Sequence, residues 1–139
     1  FVDVTKTWSK KELEPYANLI KADKLQIIMT AHVFNKNLDP LYPATLSHAV
    51  NTKLLREKMG FKGVIVSDDL QMSAISAEYK LTDALRLAIN SGVDMLLIGN
   101  QLLVYNTDEV VDIIFRSVKS GEISFERVKE SNERIGKLF

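Results

Sequence analysis

The sequence predicts an α/β fold built on a parallel sheet, and three observations carry that prediction. Three short apolar runs, residues 25–30, 63–67 and 94–98, are nearly continuous in Val, Ile and Leu, as buried parallel strands require. Helical patterns alternate with them. The runs start 38 residues apart (25 to 63) and then 31 apart (63 to 94), which suits right-handed strand–helix–strand crossovers of roughly 30 residues each.

Taken in order, Ser9-Lys10-Lys11-Glu12 fits a capping box, and Pro15 sits too deep for one long helix. The expectation is a short turn, then a helix with Pro15 in its first turn running to about Lys21. After the first strand, Ser47 caps a helix carrying Val50, Leu54, Leu55 and Met59 and closed by Gly60. After the second strand, Thr82 caps a helix through Ile89 that Gly92 ends. After the third, Thr107 with acidic Asp108 and Glu109 opens a helix burying Val110, Val111, Ile114, Phe115 and Val118, closed by Gly121. Ser124 opens the last helix, through Val128, Ile135 and Leu138. Three strands in 139 residues make only part of a (β/α)₈ barrel, which needs ~250 residues. A doubly wound sheet would want more strands and a Gly-rich first turn. The two open edges of a three-stranded sheet also point to a piece of something larger, and they predict homodimerisation through those edges. A start at Phe1 rather than Met fits the same expectation.

Composition narrows the class of function. With 46% hydrophobic and 26% charged residues, the chain is ordinary globular material. Lys and Arg total 18, as do Asp and Glu, so no basic surplus exists to neutralise phosphates or dock on acidic membranes. The longest apolar run, from Val93 to Gly99, is broken by Asp94 and falls far short of the ~20 residues of a membrane span. Cysteine is absent, which excludes disulfides and Cys-ligated zinc.

In parallel α/β folds the chemistry gathers at the C-terminal ends of the strands, here Thr30-Ala31-His32, Ser67-Asp68-Asp69 and Ile98-Gly99-Asn100. If Val64 and Val66 point inward, alternation places Asp68 on the same side and Asp69 on the other. Asp68 is therefore the candidate nucleophile, and Asp69 the structural residue that caps the turn beginning at Leu70. His32 is placed to bond a substrate hydroxyl, although a bond to a local backbone group is the default for such a histidine. Met72 and Ile75 either line a pocket or fill core, and Trp8 and Tyr16 either stack on a sugar or pack on the surface. Two scattered histidines form no HExxH spacing, and Ser67 lacks a G-x-S-x-G elbow, so neither a metal site nor a serine triad is predicted.

The stretch from Gly63 to Met72 (Gly-Val-Ile-Val-Ser-Asp-Asp-Leu-Gln-Met) resembles the nucleophile segment of glycoside hydrolase family 3, in its β-N-acetylglucosaminidase branch. Met29-Thr30-Ala31-His32-Val33, Pro43-Ala44-Thr45-Leu46-Ser47, Ser91-Gly92-Val93-Asp94-Met95-Leu96-Leu97 and Glu133-Arg134-Ile135 extend the resemblance over nearly the whole chain. It implies that residues 1–139 are the C-terminal half of a TIM-like (β/α)₈ barrel domain, about three parallel strands with flanking helices. It also implies a retaining β-N-acetylhexosaminidase that removes terminal N-acetylglucosamine from cell-wall-type glycans, with Asp68 as nucleophile and no metal or cofactor. His32 and Met72 are the expected substrate contacts by their position alone, since His32 does not match the family's histidine motif. The branch's Asp-His acid/base dyad lies on an earlier loop outside this chain, so the missing N-terminal half of the barrel is the implied partner. By itself the 139-residue piece is expected to be inactive. A bacterial, cytoplasmic role in cell-wall recycling suits the branch, with export to the periplasm as the alternative. Two other readings stay open: a noncatalytic half-barrel serving assembly or sugar binding, and a different α/β-barrel enzyme using Asp68 and Asp69 with Mg²⁺.

Overall fold

The structure, a computed structural model, describes residues 2–101 and 103–139. Two parallel strands form its centre, β2 (Ile27–Met29) and β4 (Val64–Val66), paired in the register Ile27 to Val64, Ile28 to Ile65 and Met29 to Val66. A second parallel pair joins β1 (Val2–Asp3) to β3 (Val33–Phe34). That pair was not expected, because two-residue strands carry no readable periodicity.

The third expected strand is reduced to one parallel bridge, Val66 to Met95. Its ladder begins normally, with the Ser67 N–H donating to the Met95 carbonyl at 2.9 Å. The buried Ser67 hydroxyl then takes the Leu97 N–H at 2.9 Å, where a backbone carbonyl would have continued the ladder. Residues 94–98 still run beside β4, and the Leu70 N–H reaches the Leu97 carbonyl at 3.1 Å.

The helices sit close to where their punctuation puts them. Ser9 and Glu12 complete a capping box on the 3-10 turn Lys10–Leu13, which runs into α1 (Glu14–Lys21) with Pro15 at its start. The Ser47 hydroxyl accepts from the Val50 N–H at 3.0 Å at the head of the helix Ala49–Lys58, which is wound as a π-helix. Gly60, with φ of +76°, turns the chain out of it. The short α2 (Ser73–Ser76) and α3 (Leu81–Ser91) follow; Lys80, not Thr82, holds the cap position of α3, and Gly92 at φ +115° ends it. α4 (Thr107–Lys119) begins one residue after its cap, since Asn106 and Glu109 form the capping box and Thr107 is already helical. Ser124 caps α5 (Phe125–Gly136) through the Arg127 N–H.

One face of the sheet is dry. Ile65, Leu70, Ile75, Leu85, Ala88 and Val93 bury almost completely between the strands and α3, with Ile28 and Leu96 against them. Each large side chain removed from water there contributes about 1.5–3 kcal/mol. The opposite face leaves Ile27, Met29, Met95 and Leu97 between 37% and 56% exposed. α4 also departs from expectation: Val110, Ile113 and Ser117 face inward, while Val111 and Phe115 are exposed. Among the described residues, no helix is long and apolar enough to cross a membrane.

Candidate active site

β4 ends at Val66 and delivers Ser67, Asp68 and Asp69 to the C-terminal rim of the sheet. Asp68 is half-buried, and one of its oxygens, Oδ1, accepts the N–H of Asp69 at 2.8 Å. Among the described residues that is the one hydrogen bond its carboxylate receives, so Oδ2 is left for another partner.

Asp69 has the structural role expected of it. Its Oδ1 accepts the N–H groups of Gln71 and Gly99, both at 3.0 Å, which ties the turn after β4 to residues 97–99. A Cβ on Gly99 would overlap the Asp69 carboxylate and push it aside, so glycine permits this close approach. The Gln71 amide carries the tie further, accepting from the Asn100 N–H and donating to the Leu103 carbonyl, both at 2.6 Å.

His32, expected beside a sugar hydroxyl, is buried with both ring nitrogens already engaged. Nδ1 pairs with Thr45 Oγ1 at 2.9 Å, and Nε2 with the Asp69 carbonyl at 2.8 Å. No nitrogen of the ring is left for a sugar hydroxyl, so the local-bond alternative describes it. Met72 is 45% exposed and sits just before α2, its N–H donating to the Asp69 carbonyl at 3.0 Å. Trp8 is half-buried and lines an apolar cavity of about 130 Å³ with Leu13, Leu38 and Tyr42. Among the described residues, no group of three or more His, Asp or Glu side chains could hold a metal ion.

A second carboxylate escaped sequence reasoning. Asp94 lies fully buried at the other end of β4, where it accepts from the Ile65 N–H, Ser131 Oγ and the guanidinium groups of Arg56, Arg127 and Arg134. Burial alone would push its carboxyl up; the Ile65 N–H and Arg56, then Arg127 and Ser131, outweigh that and hold it below its ordinary value. Arg56 shows the reverse balance, its guanidinium drawn down by burial against the pull of Asp94. A charged residue heading an otherwise apolar run was the available signal, because such a residue is buried only with partners.

The α/β architecture, with a carboxylate at the C-terminal rim of a parallel sheet, defines the class as one whose chemistry sits where strands end. Comparison with known proteins gives the family. The glycosyl hydrolase family 3 N-terminal domain matches residues 3–138, and the chain belongs to that family. Beta-hexosaminidase A of Pseudoalteromonas piscicida is 31% identical over 94% of this chain and 24% of its own length. The beta-hexosaminidase of Tolumonas auensis is 40% identical over 68% of this chain and 29% of its own. Among solved structures, the beta-N-acetylglucosaminidase of Thermotoga maritima superposes with a TM-score of 0.81 at 31% identity, covering 88% of this chain and 27% of that one. CbsA of Thermotoga neapolitana superposes at 0.87 with 28% identity, covering 99% and 32%. The chain spans about a quarter of the length of the curated relatives named here.

Proposed function

We propose that these 139 residues are the nucleophile-bearing part of a retaining β-N-acetylhexosaminidase whose barrel is completed by further strands. The observation that carries this reading is the state of Asp68: it stands at a strand end, one oxygen held by the Asp69 N–H and the other unclaimed. In a retaining mechanism that oxygen attacks the anomeric carbon of a terminal N-acetylglucosamine, the glycosidic bond to the leaving oxygen breaks, and a glycosyl-enzyme forms. Water then attacks the same carbon from the opposite face, and the sugar leaves with its configuration retained. Met72, exposed two residues beyond Leu70, faces the glycone in this reading. Cell-wall glycans are the proposed source of the sugar.

Two features support a barrel completed from outside these residues. The exposed face carrying Ile27, Met29, Met95 and Leu97 has the alternating side chains of a barrel interior. The departing alkoxide must also be protonated, and general acid catalysis is worth ~10²–10⁴ in rate. His32 is not free to supply that proton, because both of its ring nitrogens are engaged.

The test is hydrolysis of an aryl N-acetyl-β-glucosaminide by the longest natural polypeptide carrying these residues and by the 139-residue chain alone. The account expects turnover by the first and none measurable by the second. Turnover by the short chain would overturn the division of labour, and inactivity of the long one would overturn the glycosidase reading.

A further inference from the structure

The residue that holds Asp68 is Asp69, whose side chain, N–H and carbonyl are all hydrogen-bonded. Its side chain takes two backbone N–H groups, and its carbonyl takes two more donors, the Met72 N–H at 3.0 Å and His32 Nε2 at 2.8 Å. With these groups fixed, its N–H is a fixed donor aimed at Asp68 Oδ1. Of the four donors to Asp69, three come from its own turn or from Gly99. His32 alone reaches it from the segment that follows β2.

The ring is in turn locked by a chain of hydroxyls. A carbonyl only accepts, so Nε2 carries the proton, and in the neutral ring Nδ1 accepts from the Thr45 hydroxyl. Thr45 Oγ1 accepts from Thr30 Oγ1 at 3.0 Å, which gives every proton in the chain a place. Thr45 is completely buried, and its own carbonyl accepts from Asn51 Nδ2 at 3.2 Å. The chain thus runs from the anchored Thr45 through His32 to the peptide that grips the Asp68 carboxylate.

We propose that His32 is a positioning residue for the nucleophile: locked by Thr45, it clamps the Asp69 carbonyl and so sets the direction of the Asp68 carboxylate. The proposal rests on reading Asp68 as the nucleophile. A reacting group displaced by about 1 Å loses on the order of 10² in rate, and loss of a hydrogen-bonded clamp that supports it permits such a shift.

The test uses the longest natural polypeptide carrying these residues, with His32→Phe, His32→Gln and Thr45→Val. A fluorosugar inactivator counts the competent sites, and kcat, KM and the labelling rate are then expressed per labelled site. His32→Phe is expected to lower kcat and the labelling rate about 10–100-fold with KM changed less than about threefold. His32→Gln, whose amide can still donate to the Asp69 carbonyl, recovers part of that loss, and Thr45→Val gives a smaller loss than His32→Phe. A purely structural role would instead lower the melting temperature and the number of labelled sites while leaving each rate per site unchanged; that result overturns the proposal. Where His32→Phe does not fold, His32→Gln and Thr45→Val decide by the same readout: unchanged rates per site in both overturn it. Label found on a residue other than Asp68 overturns the nucleophile reading, and this inference falls with it. Label on Asp68 with unchanged rates per site overturns this inference alone.

Discussion

The two ends of β4 hold two carboxylates under opposite regimes. At the C-terminal end, Asp68 is half-buried and, among the described residues, takes one hydrogen bond, from its neighbour's N–H. At the other end, the Asp94 side chain is fully buried and, among the described residues, takes five, three of them from arginines. A carboxylate surrounded by that many donors is stabilised as an anion and has no lone pair to lend to chemistry. The sparsely bonded one keeps an oxygen for another partner. With Asp68 as the proposed nucleophile, the same residue type would serve reaction at one end of the strand and assembly at the other, and the number of donors around it separates the two.

The Asp94 cluster explains how the last helix is held. Arg127 and Arg134 on α5 reach Asp94, and Arg127 also donates to the Ile89 and Val93 carbonyls at 3.0 and 2.9 Å. From the π-helix, Arg56 bonds the Gly63 and Gly92 carbonyls, each at 3.0 Å. One anion thus joins β4, the π-helix and α5.

Substitutions at the two ends should separate activity from stability. The largest effect is expected from Asp68→Ala in the active polypeptide, a loss of hydrolysis of about 10³-fold or more with unfolding free energy changed by less than about 1 kcal/mol. Parallel rate assays and denaturant titrations check both halves; full activity would break the contrast. Asp94→Ala should do the converse, costing about 3–5 kcal/mol because it leaves three buried or part-buried arginines without their anion. Rate per folded molecule should be unchanged. Gly99→Ala is the next largest, since its Cβ pushes on the Asp69 carboxylate; a loss of about tenfold in kcat is expected, with a minor loss of stability.

The smallest effect is in acid. The Asp94 carboxyl lies below its ordinary value of 3.8 in the folded chain, so its stabilisation is complete above 3.8 and is lost as pH falls through the depressed folded value. The stability gap between the native chain and Asp94→Asn should therefore be constant at neutral pH and narrow below about pH 4. A gap that widened in acid would contradict the assignment.

Helix ends were legible because their signals are local: Ser9, Pro15, Gly60, Gly92, Gly121 and Ser124 each act within a few residues of where they stand. Asp69 was legible for the same reason, since its turn closes two residues on. Where two cap residues compete nearby, as Asn106 does with Thr107, sequence order alone does not decide. The break in the third strand was hidden, because it depends on a serine hydroxyl 30 residues away from the N–H it takes. The Asp94 cluster was hidden more deeply, its partners lying 29 to 40 residues off along the chain. His32 illustrates the limit at the site itself. Its position at a strand end was readable, but whether its nitrogens face substrate or Thr45 and Asp69 is settled only by tertiary contacts.

Peptide mapping of the active polypeptide after trapping with a fluorosugar inactivator tests the central claim most directly. The account predicts a single glycosylated peptide with the sugar esterified to Asp68. Label on Asp69, on Asp94 or outside these residues would contradict it.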